Sequence, residues 1–209
     1  MLSLKRCENP ACFIAILPLI VLILGPFYRK LNRLVAMKHI ELDKLQKLLE
    51  IVGPYPSTSI VHFSDENLEL SETIYDFCHA KSYHYQINAT EKTFYERVQK
   101  RFEGKEGIRI IDFSLKRPKY LIQGKSYEFL FVTIDLPEAQ RGDFLRKSHE
   151  IIRNSGNILL FVPHGDTQER HQWEKLLEEN YYVATNTIDD LFEAYDVIIS
   201  KKMHGWGDK

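Results

Sequence analysis

The amino-acid sequence predicts an α/β fold: a three-layer sandwich around a mostly parallel, doubly wound sheet with an antiparallel last strand, preceded by an N-terminal hydrophobic helix. Three observations predict it. From residue 59 onward, short apolar runs alternate with segments of helical periodicity, the pattern of successive βα units. Two of those runs, FLFVTI from Phe129 and NILLFV from Asn157, are too continuous for half-exposed strands and fit the middle of a parallel sheet covered on both faces. Finally, the last two strand-like segments are joined by a connection too short for a crossover helix, so they should pair antiparallel.

Each element follows in order. Ile40, Leu42, Leu45, Leu48, Leu49 and Val52 recur at near-helical spacing, and Gly53-Pro54 stops the pattern. SIVHF from Ser59 reads as the first strand, Leu68 to Ala80 as a helix, Tyr83 to Ile87 as a second strand, and Glu91 to Phe102 as a helix ended by Gly104. IRIIDF from Ile108 is the third strand. A connector bearing Lys116, Arg117, Pro118 and Lys119 leads to the fourth, within Tyr127 to Asp135. Pro137 and Glu138 open a helix expected to run through Arg153, where Asn154-Ser155-Gly156 closes it ahead of the fifth strand. Thr167 to Asn180 is the next helix, and YYVATNTIDD and YDVIISKK form the terminal pair.

At 209 residues, 44% hydrophobic and 12% aromatic, the chain can bury a core of its own. Its charge is unevenly distributed. Met1 to Ala36 carries five cations against Glu8 alone, which leaves 23 basic and 28 acidic side chains, a net charge of -5, for 37–209. A mildly acidic domain lacks the basic face that phosphate contacts need, so no nucleic-acid partner is expected. Of the three cysteines only Cys78 falls in the globular part, too few for a disulfide framework, and it reads as a small apolar core residue.

Ala11 to Tyr28 runs without a charge between Lys5-Arg6 and Arg29, Lys30 and Arg33. That approaches the ~20 residues of a spanning helix, and no small-residue cleavage site follows it. The excess of cations on its C-terminal side places the large domain in the cytoplasm. Residues 1–36 are therefore expected to be a single-pass membrane anchor and 37–209 the α/β domain. The alternative is a start at Met37 and a chain without the anchor, located in the cytoplasm.

The order of a leading helix, alternating strands and helices, and a terminal antiparallel pair resembles the class I S-adenosylmethionine-dependent methyltransferases. FLFVTIDLPE is similar to the family's fourth strand and following turn, SGNILLFVP to its fifth strand after a Gly turn, and YDVIISKK to its last strand. The resemblance covers nearly all of Leu42 to Lys202. It implies S-adenosylmethionine as cofactor if the domain is active, with contacts at the carboxyl ends of the strands: cofactor binding by Asp65, Asn88 and Asp112, and catalysis at Asp135. Asp135-Leu136-Pro137-Glu138 is loosely similar to the Asp-Pro-Pro-aromatic turn of amino-group methyltransferases.

The sequence departs from the family after the first strand. There the family has a Gly-rich turn, whereas this chain reads Phe63-Ser64-Asp65-Glu66-Asn67, with no glycine and two carboxylates facing the expected position of the cofactor's own carboxylate. At the end of strand two the family's ribose-binding acid is replaced by Asn88. For Asp65 and Asn88 the alternative role is ordinary capping and turn chemistry. The eight histidines are scattered without ligand spacing, so no metal is expected. His164-Gly165-Asp166 follows strand five and reads as a polar loop, with a cleft-facing position as the alternative. Two functions remain: a methyltransferase-like domain with a degenerate cofactor turn that serves as a binding or scaffold module for a protein partner, and a working methyltransferase with an atypical site.

Overall fold

The structure is a computed structural model and describes residues 40–53, 57–120 and 126–203. The apolar run Ala11 to Tyr28 lies outside the described residues. Among the described ones no helix is long and apolar enough to cross a membrane.

Among the described residues a seven-stranded sheet forms from β1 (Ser59–Ser64), β2 (His84–Ala89), β3 (Ile108–Asp112), β4 (Tyr127–Val132), β5 (Ile152–Pro163), β6 (Tyr182–Ile188) and β7 (Tyr195–Lys202). The spatial order is β3-β2-β1-β4-β5-β7-β6. Strands β1 to β5 run parallel, and β7 is antiparallel to both β5 and β6. The predicted α/β sandwich around a mostly parallel sheet with an antiparallel last strand is the observed one, and the predicted N-terminal hydrophobic helix lies outside the described residues.

Helices α1 (Leu42–Leu49), α2 (Leu68–Ala80) and α3 (Lys92–Arg101) cover one face, and α4 (Glu138–Ile151) and α5 (Thr167–Glu179) the other. Each presents an apolar stripe to the sheet: Leu45, Leu48 and Leu49 on α1, Leu70, Ile74 and Cys78 on α2, Phe144, Leu145 and Ile151 on α4. Phe63 and Phe131, both fully buried at the sheet centre, contribute about 1.5–3 kcal/mol apiece by transfer out of water. Cys78 packs in that core, and burial pushes its thiol up to about 12.

One departure from the predicted elements has a physical cause. Helix α4 stops at Ile151 because Ile152 is already extended and pairs with Tyr127, and β5 then continues through a bulge before Asn157 pairs with Phe129. The residues read as a closing turn are that bulge. Ser155 takes φ 67, and a Cβ at Gly156 would lie 2.7 Å from Ile152 Cγ2 and 2.9 Å from Glu128 O, so the position requires glycine. The link from β3 to β4 is the expected connector, with no helix among its described residues. Aromatic side chains hold it down instead: Phe113 and Tyr120 meet edge-on at 4.9 Å, and Phe113 packs on Phe63 at 5.1 Å.

Candidate functional site

Chain order reverses between β1 and β4, because β1 leads outward to β2 and β3 and the chain then crosses back to β4. Open α/β sheets bind ligands in the crevice at the carboxyl ends of such a strand pair. Here the crevice is lined by Asp65, Glu66, Asn67 and Leu70 after β1, Thr133 after β4, and by Ile40, Phe161 and Tyr195. Its free volume is about 10 Å³, room for roughly one water.

The turn after β1 closes without glycine because Asn67 takes the left-handed conformation itself, at φ 66. Asparagine tolerates that region better than most residues, and its Oδ1 accepts from Leu70 N–H at 3.0 Å, capping α2. Ser64 Oγ donates to Glu66 O at 2.7 Å and tightens the same turn.

Of the predicted site residues, the structure brings Asp65 and Asp135 together. Burial raises the Asp65 carboxyl to about 6; the charges of Glu66 and Asp135 add to this, and its own and the Asp135 backbone N–H groups partly offset it. Asp135 itself is exposed, three residues beyond the end of β4. Asn88 is not at a free strand end. It is buried within β2, where its Oδ1 accepts from Gln86 Nε2 at 2.8 Å and Gln86 Oε1 accepts from Tyr127 OH at 2.7 Å. Asp112 is exposed at the end of β3, two strands from β1.

Sequence reasoning missed a polar relay beneath the crevice. His62 is fully buried in β1, with Nδ1 2.8 Å from Tyr85 OH and Nε2 2.8 Å from Thr133 Oγ1. Thr133 Oγ1 donates to Phe63 O at 3.2 Å, so it accepts from Nε2–H, and Tyr85 OH donates to Nδ1. Burial pushes His62 down to about 3, and the ring is neutral. A histidine inside the apolar run IVHF is the signal that could have found it.

A second missed arrangement follows β5. His164 Nδ1 lies 2.8 Å from Asp196 Oδ1, and Gly165 N–H donates to Asp196 Oδ2 at 3.2 Å. Asp196 is fully buried whereas His164 is half exposed, and Arg170 Nη1 also approaches Asp196 Oδ2 at 3.6 Å. Among the described residues no group of three or more His, Cys, Asp or Glu side chains is arranged to hold a metal ion.

No family model matches the chain, and no curated protein does either. Solved structures match at the level of fold. A TehB-like S-adenosylmethionine-dependent methyltransferase from Corynebacterium glutamicum superimposes with a TM-score of 0.60 at 13% identity, over 85% of this chain and 96% of that one. An S-adenosylmethionine-dependent O-methyltransferase from Thermotoga maritima gives 0.60 at 11% identity, over 79% and 67%. The CurJ carbon methyltransferase gives 0.59 at 11% identity over 76% of this chain, which spans about half of its length, 52%. The chain has the Rossmann-like fold of the class I S-adenosylmethionine-dependent methyltransferases.

Proposed function

We propose that this methyltransferase-like domain has a degenerate cofactor site and serves as a binding or scaffold module. The observation that carries the reading is the crevice between β1 and β4, where Ile40, Phe161 and Tyr195 leave space for about one water beside Asp65. A cofactor entering there would bring its carboxylate against Asp65 and Glu66. Two unit charges ~4 Å apart repel by about 4 kcal/mol at an effective dielectric near 20, and Asp65, with its carboxyl at about 6, can limit its own share to about 1.4 kcal/mol at pH 7 by taking up a proton, roughly one decade of affinity. The raised Asp65 carboxyl reports a site already unfavourable to negative charge.

Calorimetric titration of the full chain with S-adenosylmethionine and with S-adenosylhomocysteine tests this. The expected result is no saturable heat into the millimolar range. Micromolar binding that disappears in Asp135→Ala would overturn the scaffold reading in favour of a working methyltransferase. The His164–Asp196 pair favours that second reading, since a buried carboxylate orienting an exposed imidazole is the arrangement of a general base.

We also propose that Ala11 to Tyr28 tethers the domain to a membrane from its cytoplasmic side when translation starts at Met1. Pelleting with membranes that resists carbonate extraction is the expected behaviour. Natural protein with an intact mass beginning at Met37 would remove the tether.

A further inference from the structure

The two ends of the sheet are built differently. At the β6 edge, Ala184 sits at φ 53 and the register against β7 shifts between Val183 and Asn186, a bulge that spoils the edge as a template. At the other end, β3 has no bulge, no proline and no left-handed residue, and each of Ile108 to Asp112 is at least partly exposed.

The ladder to β2 tells which backbone groups of β3 are committed. Tyr85 N–H donates to Gly107 O at 3.0 Å and Phe113 N–H to Ala89 O at 2.8 Å. By parallel alternation, Arg109 and Ile111 use their backbone groups toward β2, and those of Ile108, Ile110 and Asp112 point away from the sheet. Asp112 O accepts from Arg117 Nη2 at 2.8 Å. The remaining outward N–H and C=O groups pair with no described strand.

Two cavities include residues of β3, one of them at this edge. One, of about 470 Å³, is floored by Phe102, Ile108 and Ile110 and rimmed by Lys100 and Lys105, with Glu103 the one acid among its lining residues. The other, of about 630 Å³, runs under the amino ends of the strands from Arg109 of β3 past His84 and Gln86 of β2 to Ser59 of β1 and Tyr127 of β4. Arg153 is paired to Glu128, but Arg109 is half buried and pairs with no carboxylate among the described residues. An added strand would direct alternate side chains to the two faces of the sheet, apolar ones beside Ile108 and Ile110 and acidic ones beside Arg109.

We infer that the β3 edge docks an extended peptide segment of a protein partner in which apolar and acidic residues alternate. The inference does not rest on the cofactor reading, since β3 lies two strands from the crevice and an active enzyme could dock such a segment equally well.

The probe is a fluorescein-labelled peptide, Ile-Glu-Val-Glu-Ile-Glu-Val, titrated with the full chain and read by anisotropy. A lysine counterpart, Ile-Lys-Val-Lys-Ile-Lys-Val, and a backbone N-methylated copy serve as controls. Saturable binding of the acidic peptide alone is expected. Arg109→Glu should weaken it by about tenfold or more and shift preference toward the lysine peptide. Ile110→Pro removes an outward N–H without touching the ladder to β2, and it should abolish binding while the far-ultraviolet circular dichroism is kept. The proposal is overturned by equal binding of acidic and lysine peptides, by undiminished binding of the N-methylated copy, or by no saturation into the millimolar range. A concentration-dependent dimer dissociated by Ile110→Pro would assign the edge to a second copy of the chain and overturn it too.

Discussion

His62 and Asp65, three residues apart, pull the pH dependence of stability in opposite directions. Burial holds His62 at about 3 against an ordinary 6.5, so the folded state keeps it neutral while the unfolded chain takes up a proton. Its contribution is complete above pH 6.5 and is lost as pH falls toward 3, on the order of a few kcal/mol in all. Asp65, raised from 3.8 to about 6, binds its proton more tightly when folded. The fold is therefore penalised above pH 6, and the penalty disappears as pH falls toward 3.8. Urea unfolding across this range separates the two. Asp65→Asn should gain about 1–2 kcal/mol above pH 6, discounted for its partial exposure, and nothing near pH 4. His62→Gln should lower stability at pH 7.5 yet flatten the profile between 6.5 and 3, and an unchanged acid limb would contradict the neutral-ring assignment.

At the scale of elements, single residues make the turns that the crevice and the sheet depend on. Asn67 combines a left-handed backbone with the cap of α2. Asn67→Ala should therefore cost about 1–2 kcal/mol and Asn67→Gly only a few tenths, measured by denaturant midpoints. Gly156→Ala, meeting Ile152 Cγ2 at 2.7 Å, should cost about 1–3 kcal/mol and disturb the start of β5. The elements themselves are largely legible, because periodicity records burial: Leu68–Ala80 has the predicted bounds, β1, β2 and β3 end within two residues of the expected positions, and β5 alone starts five residues early, at Ile152. The bulge at Arg153 to Gly156 was not, since its polar residues and glycine read as a turn and the irregular pairing with β4 leaves no local periodicity. The candidate site was half legible. Asp65 and Asp135 were visible as strand-end acids, but the burial of Asn88 depends on Gln86 and Tyr127 from the same and a distant strand, and the His164–Asp196 pair joins residues 32 apart. No spacing rule reads contacts of that kind.

In the whole molecule the described elements pack on one sheet between two core clusters, and the folding pattern is shared with methyltransferases, while Ile40, Phe161 and Tyr195 line the small space beside Asp65 at the chain reversal. Ile40 and Tyr195 reach that crevice from opposite ends of the described chain, 6% and 2% exposed, so opening it would expose apolar core. Fold alone therefore leaves the chemistry open, and the proposed loss of cofactor binding is tested at this one place. Ile40→Ala with Tyr195→Ala should enlarge the crevice at a stability cost of about 2–5 kcal/mol for each truncation, read as a lowered melting temperature. The most direct test is a crystal of the full chain soaked with S-adenosylmethionine. The account predicts no adenosyl density beyond Asp65 and Asp135, with Phe161 and Tyr195 packed as described. Ordered cofactor density there, with Tyr195 displaced to admit it, would contradict the account.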